Sequence, residues 1–437
     1  MTRILVFLLA VVLAAQVSAQ PLLFRLSPEN QNILLDYAAF PSSASDQVRL
    51  EVYYQVYNSA LPFRKVGQIM KAEYEVAIQV VDNDNHSAAF HNVNRSVQVA
   101  NINRARSHTD YRIDQANFEI PAGEYKLKFI LSDKHSEATI KRELKLHLKS
   151  FETSKAKLSD IEFVQTAKSA DSARNDFFKA NMEIVPSLLK WFGADGSNRL
   201  MFYIEINRSA DSCSKVFIET ELRHDRHGIL YCDTLQTTLE RPITCQLREI
   251  SLDEFRQGEY ELIIRLNDQH WKKLDKKTAS FEVSWNQTNL LKYEYEEAVD
   301  QLEFIAEPGE TEKLEEINGY EKRLSAFNEF WSARDPNPST KINELKIRFY
   351  HLINIANRMF TIMGHRGWRT DRGRILIQYG VPDQVDDYPF AIDRPSYQNW
   401  HYYEKGEYLK FTFVDKYDNG DYQLVYPYNG LDRRPDF

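Results

Sequence analysis

Residues 367–374, Gly-Trp-Arg-Thr-Asp-Arg-Gly-Arg, put a hydroxyl, a carboxylate and three guanidinium groups into one short stretch. Two chemistries suit that set. Guanidinium groups fork onto paired oxygens, so the loop could grip a carboxylate or a peptide end. On that reading Trp368, Arg369, Thr370, Asp371, Arg372 and Asp383 form a ligand- or partner-contacting surface, with Arg366 and Arg374 adding positive charge. Catalysis instead needs a base beside a nucleophile, or paired carboxylates. The groupings near the stretch are Asp371 with Asp383, and His365 with His401 and Glu404, and neither has a diagnostic spacing. No Gly-x-Ser-x-Gly, His-Glu-x-x-His or phosphate loop occurs. No residue is therefore assigned as catalytic, and no metal or cofactor is expected.

The same residues also have a sufficient folding role. Gly364 and Gly367 can take left-handed backbone at a helix end. Thr370 and Asp371 can accept backbone N–H groups of a turn that Arg372 and Gly373 complete. Trp368 can fill the space between helices and a sheet. Ile375-Leu-Ile-Gln-Tyr then reads as a short strand, closed by Gly380 and Pro382. The stretch is expected to join a helical half to a sheet half.

Two further clusters invite a metal reading. Asp415 to Gly420 is superficially like a calcium loop, but Tyr417 occupies a ligand position and Tyr426 stands where the closing Glu belongs. A hairpin, with Asn419-Gly420 as a type I′ turn, fits better. Asp82 and Asp84 could hold calcium, yet a plain turn explains them. His135 and His270 read as packing or turn residues.

The elements that must position these groups follow from periodicity. Leu50, Val52, Tyr54 and Val56 alternate, as do Tyr74, Val76, Ile78 and Val80, which is the pattern of half-buried strands. Residues 20–150 read as one β-sandwich and residues 151–288 as a second. Gly123-Glu-Tyr-Lys-Leu and Gly258-Glu-Tyr-Glu-Leu share Gly, Glu, Tyr, Leu, Leu, Asp and His at identical offsets through His135 and His270, so the unit is read as duplicated. The shared Tyr resembles the corner tyrosine of immunoglobulin-like folds. From residue 289 the period becomes helical: Leu291 to Ile305, Leu314 to Trp331, and Leu345 to Met359 predict three helices within 290–362. The motif and a β-meander fill 363–427, completing an α+β unit over 289–437. The many glutamates of the first two helices, among them Glu294, Glu297 and Glu310, read as solvated faces.

Composition sets the outer limits. With 437 residues, 43% hydrophobic and 13% aromatic, the chain has ample material for several cores. Its 55 basic against 63 acidic residues lack the basic excess that nucleic-acid binding needs. Arg3, an apolar run from Ile4 to Val17 and Val17-Ser-Ala19 read as a cleavable signal peptide over 1–19, cut after Ala19. No later segment is long and apolar enough to span a bilayer. Cys213, Cys232 and Cys245 allow one disulfide, of unassigned pairing.

The Gly367-Trp-Arg-Thr-Asp371 signature, preceded by Phe330-Trp331, Asp335-Pro-Asn-Pro338, Asn343-Glu344, Arg348, Ala356-Asn357 and Phe360, resembles the GWxTD-domain proteins over roughly residues 290–427. This is a bacterial extracytoplasmic family without established catalytic residues. In it Gly367, Gly373, Gly380, Pro382, Trp331, Asp335 and Trp400 read as structural. The resemblance implies a signal peptide, a β-rich N-terminal half and a C-terminal GWxTD domain. The whole chain reads as a secreted or periplasmic binding protein, two tandem immunoglobulin-like sandwiches ahead of the α+β domain, with another envelope or secreted protein as partner. An envelope hydrolase acting on peptide or cell-wall material, and a self-associating surface component, are the alternatives; the oligomeric state is open.

Overall fold

The computed structural model describes residues 33–427, apart from 45, 106–109, 154, 171–175, 194–197, 210–214, 226, 284–286, 337, 339–342, 363, 383, 389–394 and 405–406. The expected signal peptide, Cys213 and Asp383 lie outside the described residues. The chain is mostly β, with several sheets and a helical insertion before the last of them.

Two β-units come first. In one, Ile33–Pro41, Gln47–Tyr57 and Tyr111–Pro121 form a three-stranded sheet. It faces the sheet Ser87–Val99, Ile69–Val81, Gly123–Asp133, Thr139–Leu148, with Arg64–Val66 paired to the start of Ile69–Val81. Leu50, Val52, Tyr54 and Val56 from the first sheet and Tyr74, Val76, Ile78 and Val80 from the second close one core. Alternation produces this because successive strand residues point to opposite faces.

The second unit repeats the order. Glu162–Ser169, Arg199–Arg208 and Ile243–Ser251 lie side by side, opposite Gly228–Thr238, Lys215–His224, Gly258–Asp268 and Lys273–Val283. Short strands decorate its edges, including Met182–Pro186 with Phe178–Lys179, and Trp191–Phe192 parallel to Lys273–Val283. In each unit a tyrosine donates its hydroxyl to a carbonyl four residues earlier, Tyr125 to Pro121 at 3.1 Å and Tyr260 to Arg256 at 2.8 Å.

One strand departs from the half-buried reading. Gln47–Tyr57 is buried on both faces, because Glu51, Tyr53 and Gln55 turn toward the second unit while Leu50, Val52 and Tyr54 turn inward. Ala38, Phe40 and Tyr53 of the first unit pack there on Val164, Ile184, Leu188, Met201 and Tyr203 of the second.

The C-terminal part contains more helices than the three expected. The first predicted helix is split into Gln287–Tyr293 and Tyr295–Leu302. The second is split into Glu310–Glu315 and Tyr320–Ser332, because Gly319 takes φ 91° between them. Glu344–Phe360 is continuous, capped by Asn343 accepting from the Lys346 N–H at 2.9 Å. Asp371–Tyr379 is also a helix, not the expected strand. The apolar run Ile375-Leu-Ile377, with its two β-branched isoleucines, favours a strand in isolation, but Thr370 caps a helix there. The terminal sheet runs Gln384–Tyr388, Tyr397–Glu404, Glu407–Asp415, Tyr422–Tyr426, antiparallel throughout.

Candidate functional site

The long helix Glu344–Phe360 builds the seat for the signature. At its end the Asn357 side chain accepts from the Trp368 N–H at 3.2 Å, and the Thr361 hydroxyl accepts from the Gly367 N–H at 2.9 Å. Gly364 takes left-handed backbone, φ 88°, as expected, but Gly367 does not. Gly367 is required for closeness: a Cβ there would lie 1.9 Å from the Ala356 carbonyl oxygen. Gly373 sits equally close, its Cβ position 2.0 Å from the Gly367 oxygen. The two glycines let helix, turn and helix touch backbone to backbone.

Thr370 then starts the helix. Its hydroxyl accepts from the Gly373 N–H at 3.1 Å and donates to the Gly367 carbonyl at 2.7 Å. Asp371, in the first turn, uses one carboxylate oxygen to accept the Leu424 N–H at 2.8 Å, tying the helix to the last strand. Its other oxygen meets Arg374 at 3.4 Å. Arg372 is buried: it donates to the Gly420 carbonyl at 3.0 Å and lies between the rings of Phe360 and Tyr422, at 4.6 and 4.2 Å. That burial lowers its pKa to about 10.

Trp368 fills the junction between the helices. It is 4% exposed, meets Phe304 edge-on, and donates its indole N–H to Glu297 at 3.0 Å. Arg366 pairs with Glu297 at 2.9 Å, and Arg369 stacks on Trp368 at 4.2 Å while pairing with Asp300. Burial pushes the Glu297 carboxyl up, against the pull of Arg366 and the Trp368 hydrogen bond. Glu294 and Glu297 are expected to be solvated; both pair instead with Arg366, just before the signature, and Glu310 pairs with Arg334. Sequence periodicity assigns charged residues to the wet face and cannot see a second positively charged segment returning to it.

The remaining structural candidates are core or turn residues. Trp331 and Trp400 are buried, the latter against Phe360 and Phe413. Asp335 lies in the turn after Tyr320–Ser332 and Pro382 is buried after Gly380, which closes the helix at φ 82° and accepts from Tyr402.

Of the suspected acid–base groupings, Asp383 and the Glu404 side chain lie outside what is described, and the two histidines have different surroundings. His365 is exposed and its backbone bridges Ile362. His401 pairs with Asp386 at 3.0 Å through Nε2 and with the Tyr408 hydroxyl at 2.7 Å through Nδ1, on the outer face of the terminal sheet. Neither partner was named from sequence; cross-strand register, with His401 opposite Gln384 and Lys410, brings them diagonally together. Asp415 has its oxygens on the Asn419 and Gly420 N–H groups at 3.1 and 2.7 Å, so the loop is a hairpin turn. It is not type I′, since Asp418 and Gly420, rather than Asn419, carry positive φ. Asp82, Asp84 and His86 offer ligand atoms within 4.8 Å of one another, while Asp82 already accepts two backbone N–H groups. Cys232 and Cys245 are free and exposed, on different sheets.

No curated protein matches the chain. Among solved structures it is similar to red sea bream transglutaminase, at 10% identity over 58% of this chain and 31% of that one, TM-score 0.17. It is also similar to a glycosyl hydrolase family 2 member from Bacteroides cellulosilyticus DSM 14838, at 11% identity, 53% and 28% coverage, TM-score 0.22. A putative beta-galactosidase from Bacteroides fragilis follows at 10% identity, 53% and 32% coverage, TM-score 0.23. The chain thus spans about a third or less of these proteins' length, and such scores carry no argument about fold or activity. The family model of the GWxTD domain matches residues 273–430, which contain the whole joint described above. With Gly367-Trp-Arg-Thr-Asp371 seated at its centre, the chain is a GWxTD domain-containing protein.

Proposed function

We propose that the protein is a secreted or periplasmic binding and scaffolding component of the bacterial envelope, non-enzymatic, with the GWxTD domain as its protein-interaction module. One observation carries this reading. Among the described residues, the signature's Trp368, Thr370, Asp371 and Arg372 are all engaged inside the domain, which suits a rigid joint more than a reacting centre. The solvent edges that remain belong to Arg369, Arg374 and Asp371, with side chains 50%, 38% and 33% exposed, a mixed-charge rim suited to a protein surface. The β-units act as spacers. Their matching strand order and their paired tyrosine hydroxyl bonds support the reading of two tandem immunoglobulin-like sandwiches arising by duplication.

Crosslinking of the mature chain in native envelopes, followed by mass spectrometry, tests this. A discrete partner whose crosslinks vanish in an Arg369→Ala, Arg374→Ala double variant supports the proposal. Unchanged crosslinking in that variant, with its circular dichroism intact, removes the rim as the contact.

The runner-up is an envelope hydrolase, which the Asp386–His401–Tyr408 relay favours, because an imidazole oriented by a carboxylate can take a phenolic proton. Turnover in a broad hydrolase screen, lost in His401→Ala or Asp371→Asn without unfolding, would establish it.

A further inference from the structure

The seam between the two β-units holds charges where apolar side chains are the rule. Inside the apolar border of Phe40, Leu188 and Met201 lie Glu51, Glu162 and Glu205, each no more than 3% exposed. Arg49 reaches Glu205 at 2.6 Å and Glu51 at 3.2 Å. Lys179, an ammonium from the edge strand of the second unit, meets Glu51 of the first unit at 2.6 Å and also Glu162. Tyr53 and Tyr203 donate to Glu51 and Glu205 at 2.8 and 2.7 Å, and Gln115 donates to Glu51 at 3.1 Å.

Among the described residues three carboxylates thus face two cations, and an uncompensated buried charge is costly. Two carboxylate oxygens, Glu162 Oε1 and Glu205 Oε2, are buried without a hydrogen-bond partner among the described residues. Glu162 lies opposite Tyr203 in the ladder, so Glu205, two residues along, is its diagonal neighbour on the same face. The other charges around the seam are already paired, Asp36 with Lys190 at 2.8 Å and Asp160 with Lys277 at 2.7 Å. Cys245 stands across the ladder from Glu205. A small cleft, with room for about one water, is lined by Asp36, Tyr53, Glu162 and Lys190 among others and borders the cluster.

We propose that this seam is a proton-operated latch, in which Glu162 takes up one proton from solvent as the two β-units dock and releases it as they part. The proton removes the surplus charge and gives Glu162 a donor for the vacant side of the cluster. Burial pushes the Glu162 carboxyl up; Lys179 pulls it down, Glu51 and Glu205 push it up again, and the balance stands at about 7. Glu51 carries the negative charge: burial pushes it up, but Lys179 and Arg49 together hold it below its ordinary value. The sign follows. With the parted units exposing an ordinary carboxyl near 4.5, docking is strongest in mild acid and weakens as pH rises from there to about 7, with no further loss above.

Hydroxyl-radical footprinting of the full chain at pH 5.5 and 8.5 reads the latch directly. Tyr53 and Tyr203 report the seam, while Tyr54, on the same strand as Tyr53 but facing its own core, reports unfolding. Oxidation of Tyr53 and Tyr203 should rise by roughly tenfold or more at the higher pH while Tyr54 stays protected. Glu162→Gln should abolish the rise, since its amide carries no charge at either pH. If that variant exposes Tyr54, Glu51→Gln serves the same purpose, because removing that charge leaves the cluster neutral with Glu162 ionised. A flat wild-type response, or the same rise in a folded variant, overturns the proposal.

Discussion

The glycines of the signature are constrained by distance more than by dihedral angle. Neither Gly367 nor Gly373 adopts left-handed backbone, yet each has a carbonyl oxygen where a Cβ would go. Gly367→Ala and Gly373→Ala should each destabilise the C-terminal domain by about 3 kcal/mol or more, or prevent its folding, as read by urea denaturation. Gly364→Ala meets no neighbour and should lose only about 1 kcal/mol, through its positive φ. Thr370→Ala removes a helix cap and should lose about 1 kcal/mol, whereas Thr370→Ser keeps the oxygen and should stay within a few tenths. The residue types were legible in the sequence as turn and cap formers. The backbone contact behind the glycines was not, because it depends on which helix returns to lie against them.

At the scale of elements, local signals won where they competed with composition. Asp371–Tyr379 contains a strand-like apolar run, but Thr370 before it and Gly380 after it mark a helix. Alternation located the inner faces of the strands correctly and misled on the outer face of Gln47–Tyr57, since Glu51 and Gln55 look like residues destined for water. Only the second unit, packed on them, reverses that. The long helix Glu344–Phe360 raises a parallel case. His351 is half-buried beside Trp191, ring centroids 5.3 Å apart, and desolvation lowers its pKa to about 4. Unfolding would restore an ordinary imidazole near 6.5, so the native state should lose stability as pH falls from there toward about 4. The expected loss is about 1 kcal/mol per pH unit within that window, and His351→Phe should flatten it in urea denaturation at pH 7 and pH 5.

The whole molecule is therefore sensitive to mild acid at two places with opposite signs. Protonation tightens the seam between the β-units through Glu162 and loosens the contact between the second unit and the C-terminal domain through His351. The C-terminal domain is also fixed to the second unit by Gln257 donating to Asn354 at 2.8 Å and by Asn289 donating to the Phe255 carbonyl. On the proposed scaffold reading the two β-units precede the GWxTD domain, and the joint ties its helices to the terminal sheet. In the proposed role the signature holds up a binding rim formed by Arg369 and Arg374. Native-envelope crosslinking of the wild type beside the Arg369→Ala, Arg374→Ala variant tests it most directly. The account predicts one discrete partner lost in the variant while its fold survives; a partner retained unchanged in the folded variant would contradict it.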